Sequence, residues 1–396
     1  MEGVWFASAL WLGLAFLAAV VSIRLAISVA LIEIVVGAVA GNTIGLQLTD
    51  WINFLAGFGA ILLTFLAGSE IDPRVIRKHF GPSLGIGLVS FFAPYLGCLL
   101  FARYGLGWSW PQAQIAGIAL STTSVAVVYA VMIETGFNKT ELGKIILAAC
   151  FVTDLGTVLA LGIVFARFDQ WMLLFGAVTA FVLAVLLRFA PWLFRTLGQR
   201  VSEPGVKFVA LILFGLGGLA AVAGSEAVLP AYLVGMALAP AFLADHELPH
   251  RLRVIAFAIL TPFYFLKAGS LIDFGAVLAS AALILVFLII KMATKFVGIL
   301  PLTKVFRFDR REGMYTTLLM STGLTFGSIS ALFGLTNHII DQTQYTILVT
   351  AVIGSAVVPT LIAQRWFVPV FKPIEHGTQR VSGSEGRGTA ECIRSS

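Results

Sequence analysis

Long apolar runs, each ended by a short polar stretch, recur along the whole chain. A membrane-crossing helix needs about 20 mostly apolar residues. Thirteen runs reach or approach that length: residues 4–23, 25–46, 52–69, 81–102, 112–133, 142–166, 171–189, 206–224, 227–243, 254–272, 276–300, 313–335 and 343–369. They lack the in/out alternation over short strands that a transmembrane barrel requires, so the pattern predicts helices throughout. No soluble domain fits between them. From Gly377 onward the chain is rich in Gly, Ser and Thr with scattered charge, and reads as a disordered tail. The first run follows Glu2 and no basic segment, so it is read as a retained span and not as a cleaved signal.

Composition narrows the class. Apolar residues make up 59% of the 396 positions and charged residues only 12%, with a mean hydropathy of +0.97. A soluble domain carries about 25% charged residues. A cytosolic enzyme, a disordered protein and a nucleic-acid binder are excluded; an all-α polytopic membrane protein remains. The net charge of +6 reflects topology. Twenty-one of the 26 Lys and Arg fall in odd-numbered connections or after the last run, only Arg103 and Arg167 fall in even-numbered ones, and Lys267, Lys291 and Lys295 lie inside runs. By the positive-inside rule the N-terminus is expected outside and the C-terminus in the cytoplasm. The three cysteines form no metal or disulfide pattern.

Spans two to six and nine to thirteen form two five-helix sets of opposite topology. The fourth member of each set is interrupted by Ser, Thr and Gly: Ser121-Thr122-Thr123-Ser124 in one, and the stretch from Ser321 through Thr325 to Ser328 in the other. Interrupted segments at matching places in inverted halves point to a transport site at mid-membrane.

An ionisable group at the bilayer centre costs about 2.5–3.5 kcal/mol even on the mildest scale. Asp154 lies midway along span six and is the strongest candidate to hold a proton and a cation in turn. Lys291 and Lys295 are spaced i, i+4 and share a helix face. Lys295 is either a functional partner or a side chain snorkelling to the nearby interface. Lys291 is deeper, with both readings open. Glu33 is either a structural acid or part of the ion path. Lys267 is either a counter-charge to Glu33 or a snorkelling side chain. No Walker loop, hydrolase triad, voltage-sensor repeat or channel filter occurs. No metal or cofactor is expected beyond the transported cation and proton.

Five stretches together resemble the monovalent cation/proton antiporter superfamily, in the branch holding the potassium-efflux systems and spore-germination sodium antiporters. Leu120–Val127 is similar to its interrupted-helix motif, and Glu33–Gly41 to its second-span G-E-x-x-x-G-x-x-x-G, with Ile32 at the first Gly. Phe65–Asp72 resembles F-L-A-G-x-E-x-D, Pro262–Gly269 resembles P-x-F-F-x-x-x-G, and Lys295–Gly298 resembles K-x-x-G.

The resemblance implies a transmembrane antiporter domain over 1–372 with crossed broken helices. An ion-carrying core (81–166 and 276–369) would move against a dimerisation panel (4–69 and 206–272), with 171–189 as linker helix and 373–396 as tail. It implies a homodimer in a bacterial plasma membrane. It further implies that Asp154 is the essential carboxylate, helped by Thr153, Thr123 and Ser124, and that Lys295 is its basic neighbour. Electrogenic members carry two consecutive acids where this chain has Thr153-Asp154, so electroneutral exchange of Na+ or K+ for a proton, one for one, is expected. The nucleotide-binding regulatory domain of the efflux members is not part of this sequence. A potassium uniport path, a sodium-coupled organic-anion symporter and an ion-sensing receptor are the rival readings.

Overall fold

The computed structural model describes residues 2–25, 28–69, 78–135, 137, 140–165, 170–197, 202–223, 227–244 and 247–369. Glu70–Asp72 of the third motif, Arg167 and the tail lie outside them. Each predicted run is helical over most of its described residues. The helices are α1 (Glu2–Leu25), α2 (Val29–Thr43), α3 (Asp50–Ser69), α4 (Phe80–Leu100), α5 (Trp110–Ser121), α6 (Val125–Thr135), α7 (Glu141–Val164), α8 (Gln170–Leu197) and α9 (Pro204–Val222). They continue as α10 (Val228–Ala244), α11 (Glu247–Ile255), α12 (Thr261–Ser270), α13 (Phe274–Ala279), α14 (Ala281–Val305), α15 (Arg310–Met320), α16 (Thr325–Thr336) and α17 (Gln342–Trp366).

Two runs form single helices shorter than a full span, and a third, 112–133, is split into α5 and α6. The helices Val29–Thr43 and Val228–Phe242 are apolar but shorter than the ten that are long enough to cross a membrane among the described residues. They head the two inverted halves, so even this departure from the expected length is paired.

The same pairing appears in the helix contacts. A Cβ on Gly37 would collide with the carbonyl of Leu266, and one on Gly269 with the carbonyl of Ile34, so α2 and α12 touch backbone to backbone. In the matching contact between the halves, Gly68 lies against the carbonyl of Tyr232 and Gly235 against that of Phe65, which brings α3 and α10 together in the same way. Water-driven burial contributes nothing between helices in lipid, and small residues that allow such close approach supply the packing instead.

Both broken helices open on a capping box. The amide of Ser109 donates to Gln112 at 2.9 Å, and that of Asp309 donates to Glu312 at 2.9 Å. These reciprocal bonds satisfy amides that a helix start leaves free. Each near half then ends in mid-membrane, where hydroxyls bond back to the helix: Ser121 donates to Ile118 O, Thr122 to Ala119 O, Ser321 to Thr317 O and Thr322 to Leu319 O. Such local bonds offer the backbone an alternative to continuing the helix. Beyond the breaks, Gly327 of α16 lies against Ala119 O and Thr122 Oγ1 of the first broken helix. The two interrupted segments therefore meet.

Candidate functional site

A helix that stops leaves carbonyls without intrahelical donors and carries a partial negative charge at that end. Here α5 and α15 stop side by side in the protein interior. The side chain of Lys295, from α14, fills the space between them. Its ammonium shares three N–H donors among four oxygens: Met320 O at 2.6 Å, Ser90 Oγ at 2.9 Å, Thr123 Oγ1 at 3.0 Å and Thr122 O at 3.2 Å. Two of these oxygens are main-chain carbonyls, one from each break. Thr123 also donates to Met320 O at 2.9 Å, which ties the two breaks directly. Lys295 is 0% exposed, so the snorkelling alternative is overturned: the nitrogen points inward because four oxygens lie there.

Lys291, one turn earlier, is equally buried. It donates to Ser355 Oγ at 2.8 Å, and Ser355 in turn donates to Val352 O at 2.7 Å. A Cβ on Gly323 would fall on the Lys291 nitrogen, so the glycine in the second break makes room for this amine. The lysines thus lie at the same crossing with different partners.

Asp154 is 1% exposed, on α7. Its Oδ1 is buried with no hydrogen-bond partner, and among the described residues the carboxylate has no ion pair. Lys295, Cys150 and Tyr232 lie within its electrostatic reach. Lys295 is therefore a neighbour of the acid and not its bonded partner. Thr153 shares its one hydroxyl hydrogen between Ala149 O at 3.0 Å and Gly87 O on α4 at 3.1 Å. Ser124 accepts the amide of Val127 at 3.4 Å, at the start of α6. Thr325 is buried in the first turn of α16.

Glu33 and Lys267 stand apart from this cluster. Glu33 is buried on α2 and Lys267 half-buried in the last turn of α12, and among the described residues no ion pair joins them. The counter-charge reading of Lys267 is thereby overturned, although α2 and α12 do pack together. The contact between these helices is made by Gly37 and Gly269, on faces that do not bring the two charged side chains into pairing distance.

A buried, unpartnered carboxylate beside two crossed helix breaks suits a transporter of cations. A model of the family described as sodium/hydrogen exchanger, transmembrane, matches residues 12–368. The chain belongs to the sodium/hydrogen exchanger family. Among its relatives, "Probable Na(+)/H(+) antiporter 3" of Methanocaldococcus jannaschii is 29% identical over 349 residues, covering 85% of this chain and 88% of that protein. The Na(+)/H(+)-K(+) antiporter GerN of Bacillus cereus is 26% identical over 347 residues, covering 85% and 89%. The solved structure of the sodium proton antiporter MjNhaP1 from Methanocaldococcus jannaschii at pH 8 superimposes with a TM-score of 0.70 at 15% identity, over 92% of this chain and 99% of that one. The exchanger fold is shared, and the superfamily resemblance carried by the five motifs is borne out. The protein is an integral membrane antiporter of monovalent cations and protons, and not an enzyme.

Several residues of this exchanger's site carry no sequence signal of their own. Ser90 and Ser355 are single hydroxyls in apolar helices, and the carbonyls of Thr122 and Met320 are freed only by the breaks. Tyr232 is an aromatic residue in an apolar run, yet it is wholly buried and its hydroxyl donates to Phe151 O at 3.1 Å. Lys295→Met should leave Thr122 O without its donor, at about 1–3 kcal/mol for an unsatisfied group, and Met320 O with hydroxyl donors alone. Lys291→Met removes one bond to a hydroxyl. Thermal unfolding in detergent should show the larger loss for Lys295→Met; equal losses would contradict this assignment.

Proposed function

We propose that Asp154 carries the proton and the cation in turn, and that exchange is electroneutral. The observation that supports this most is the unpartnered Oδ1 in a site whose nearest ammonium is already committed to neutral oxygens. An ionised carboxylate in such surroundings is expensive unless a mobile charge accompanies it. Either a proton or a monovalent cation supplies that charge. The empty, ionised site is the state that does not cross, and this makes the two flows obligatory partners. One carboxylate holding one charge at a time gives one Na+ or K+ per proton.

Thr153 and Ser124, with backbone carbonyls at the breaks, are the oxygens that replace the cation's water. Thr123 has a second task, orienting Lys295, because its hydroxyl already bonds that ammonium and Met320 O. Lys295 balances the negative ends of α5 and α15. Lys291 holds the second break through Ser355. Thr325 lines the far side of that break, while Glu33 and Lys267 serve the α2–α12 layer. The core of 81–166 and 276–369 moves against the panel of 4–69 and 206–272, linked by 171–189.

Two copies pair through the panel in a bacterial plasma membrane, with the N-terminus outside and the tail of 373–396 inside. Cys392 reports the orientation: a membrane-impermeant maleimide should miss it in intact cells and label it in inverted vesicles. The opposite pattern would reverse the topology.

Asp154→Asn in proteoliposomes should insert and fold but lose cation-dependent proton flux by on the order of a hundredfold or more. In the wild type, an imposed membrane voltage should leave the rate unchanged. Full exchange by the variant would remove the carrier role, and a voltage-driven rate would remove electroneutrality.

A further inference from the structure

We propose that Tyr232 is a positioning residue of the exchange reaction: a fixed post against which the Asp154 segment of α7 and the second break are latched. The inference rests on Asp154 being the carrier. It starts from how Tyr232 is mounted. Its own carbonyl lies where a side chain on Gly68 would be, and three residues on, Gly235 lies against Phe65 O. With backbones this close, α10 cannot slide on α3 without a clash, so the phenol stands on a rigid base.

From that base the side chain reaches two elements of the site. The hydroxyl donates to Phe151 O at 3.1 Å, three residues before Asp154 and thus one helical turn away on the same side of α7. The ring meets Phe326, in the first turn of α16, edge-on at 6.1 Å and 77°. Tyr232 is 0% exposed, and Asp154 lies within electrostatic reach of its phenol. One side chain of the α3–α10 layer therefore touches both the helix that carries the acid and the helix that follows the second break.

The consequence follows from geometry. For Asp154 to serve both sides of the membrane, α7 must change its position relative to α3 and α10. The bond from Tyr232 to Phe151 O joins parts that move apart, so it exists in one arrangement and breaks on the way to the other. Its hydroxyl holds the resting arrangement, and its buried ring packs against Phe326 beyond the second break. The two parts of the side chain make separable predictions.

The test uses the full-length protein in proteoliposomes, with proton flux read by a pH-sensitive dye over a range of Na+ concentrations. Tyr232→Phe keeps the ring and removes the bond. The maximal exchange rate should rise about threefold or more while the apparent KM for Na+ stays within about twofold, a split that loss of stability alone would not give. Tyr232→Ala removes the ring as well and should add a proton leak that persists without any cation. A Tyr232→Phe protein matching the wild type in both rate and KM would overturn the proposal, whatever Tyr232→Ala does. Asp154→Asn measured alongside separates the two levels. If that variant is inactive and Tyr232→Phe is unchanged, the latch alone fails; if Asp154→Asn exchanges normally, the carrier assignment beneath it fails.

Discussion

Two helices that stop in mid-membrane leave main-chain carbonyls with no donor, and lipid offers none. In this exchanger the ammonium of Lys295 answers that need for both breaks at once, bonding Thr122 O and Met320 O across the crossing. Everything around it follows from that commitment. Irregular backbone at this depth is tolerated only where its polar groups are satisfied. Because Lys295 is used in this way, it is not bonded to Asp154, and in the proposed exchange the carboxylate's neutralising partner comes and goes. With no bond between the lysine and the acid, the carboxylate stays open to the proton and the transported cation of the proposed cycle.

Around this centre the frame is held by glycine. Gly37 and Gly269 join α2 to α12, and Gly68 and Gly235 join α3 to α10. Gly298 lies against Val89 of α4, and Gly87 against Val152 of α7. The contacts of Gly37, Gly269, Gly68 and Gly235 tie the outer helices together, while those of Gly87 and Gly298 tie α7 and α14, which carry Asp154 and Lys295, to α4. Two of the glycines that marked the family motifs, Gly37 and Gly269, are places where one helix backbone passes another, and a third, Gly298, makes room for the side chain of Val89.

Hydropathy, charge bias and the paired Ser/Thr/Gly interruptions were legible along the chain because each follows from the bilayer alone. Asp154 was legible for the same reason, since an acid in the middle of an apolar helix needs a cause. Direction of side chains was not. Lys295 looked close enough to an interface to snorkel, and only the folded position of the two breaks shows why it turns inward. Glu33 and Lys267 looked like a pair because their helices meet, but helix contact does not dictate which faces meet. Thr123 was read as a cation ligand, while its hydroxyl is engaged with the lysine. Tyr232 and Ser355 had no pattern to mark them, because their meaning depends on helices far away in sequence.

The central claim is that a proton and a metal cation compete for one carboxylate. Calorimetric titration of Na+ into the purified protein, in two buffers of different ionisation enthalpy, tests this most directly. The account predicts release of about one proton for each cation bound, as metal binding to a protonated ligand requires, and no release from Asp154→Asn. Cation binding by the wild-type protein with no proton released, at a pH where transport is active, would contradict it.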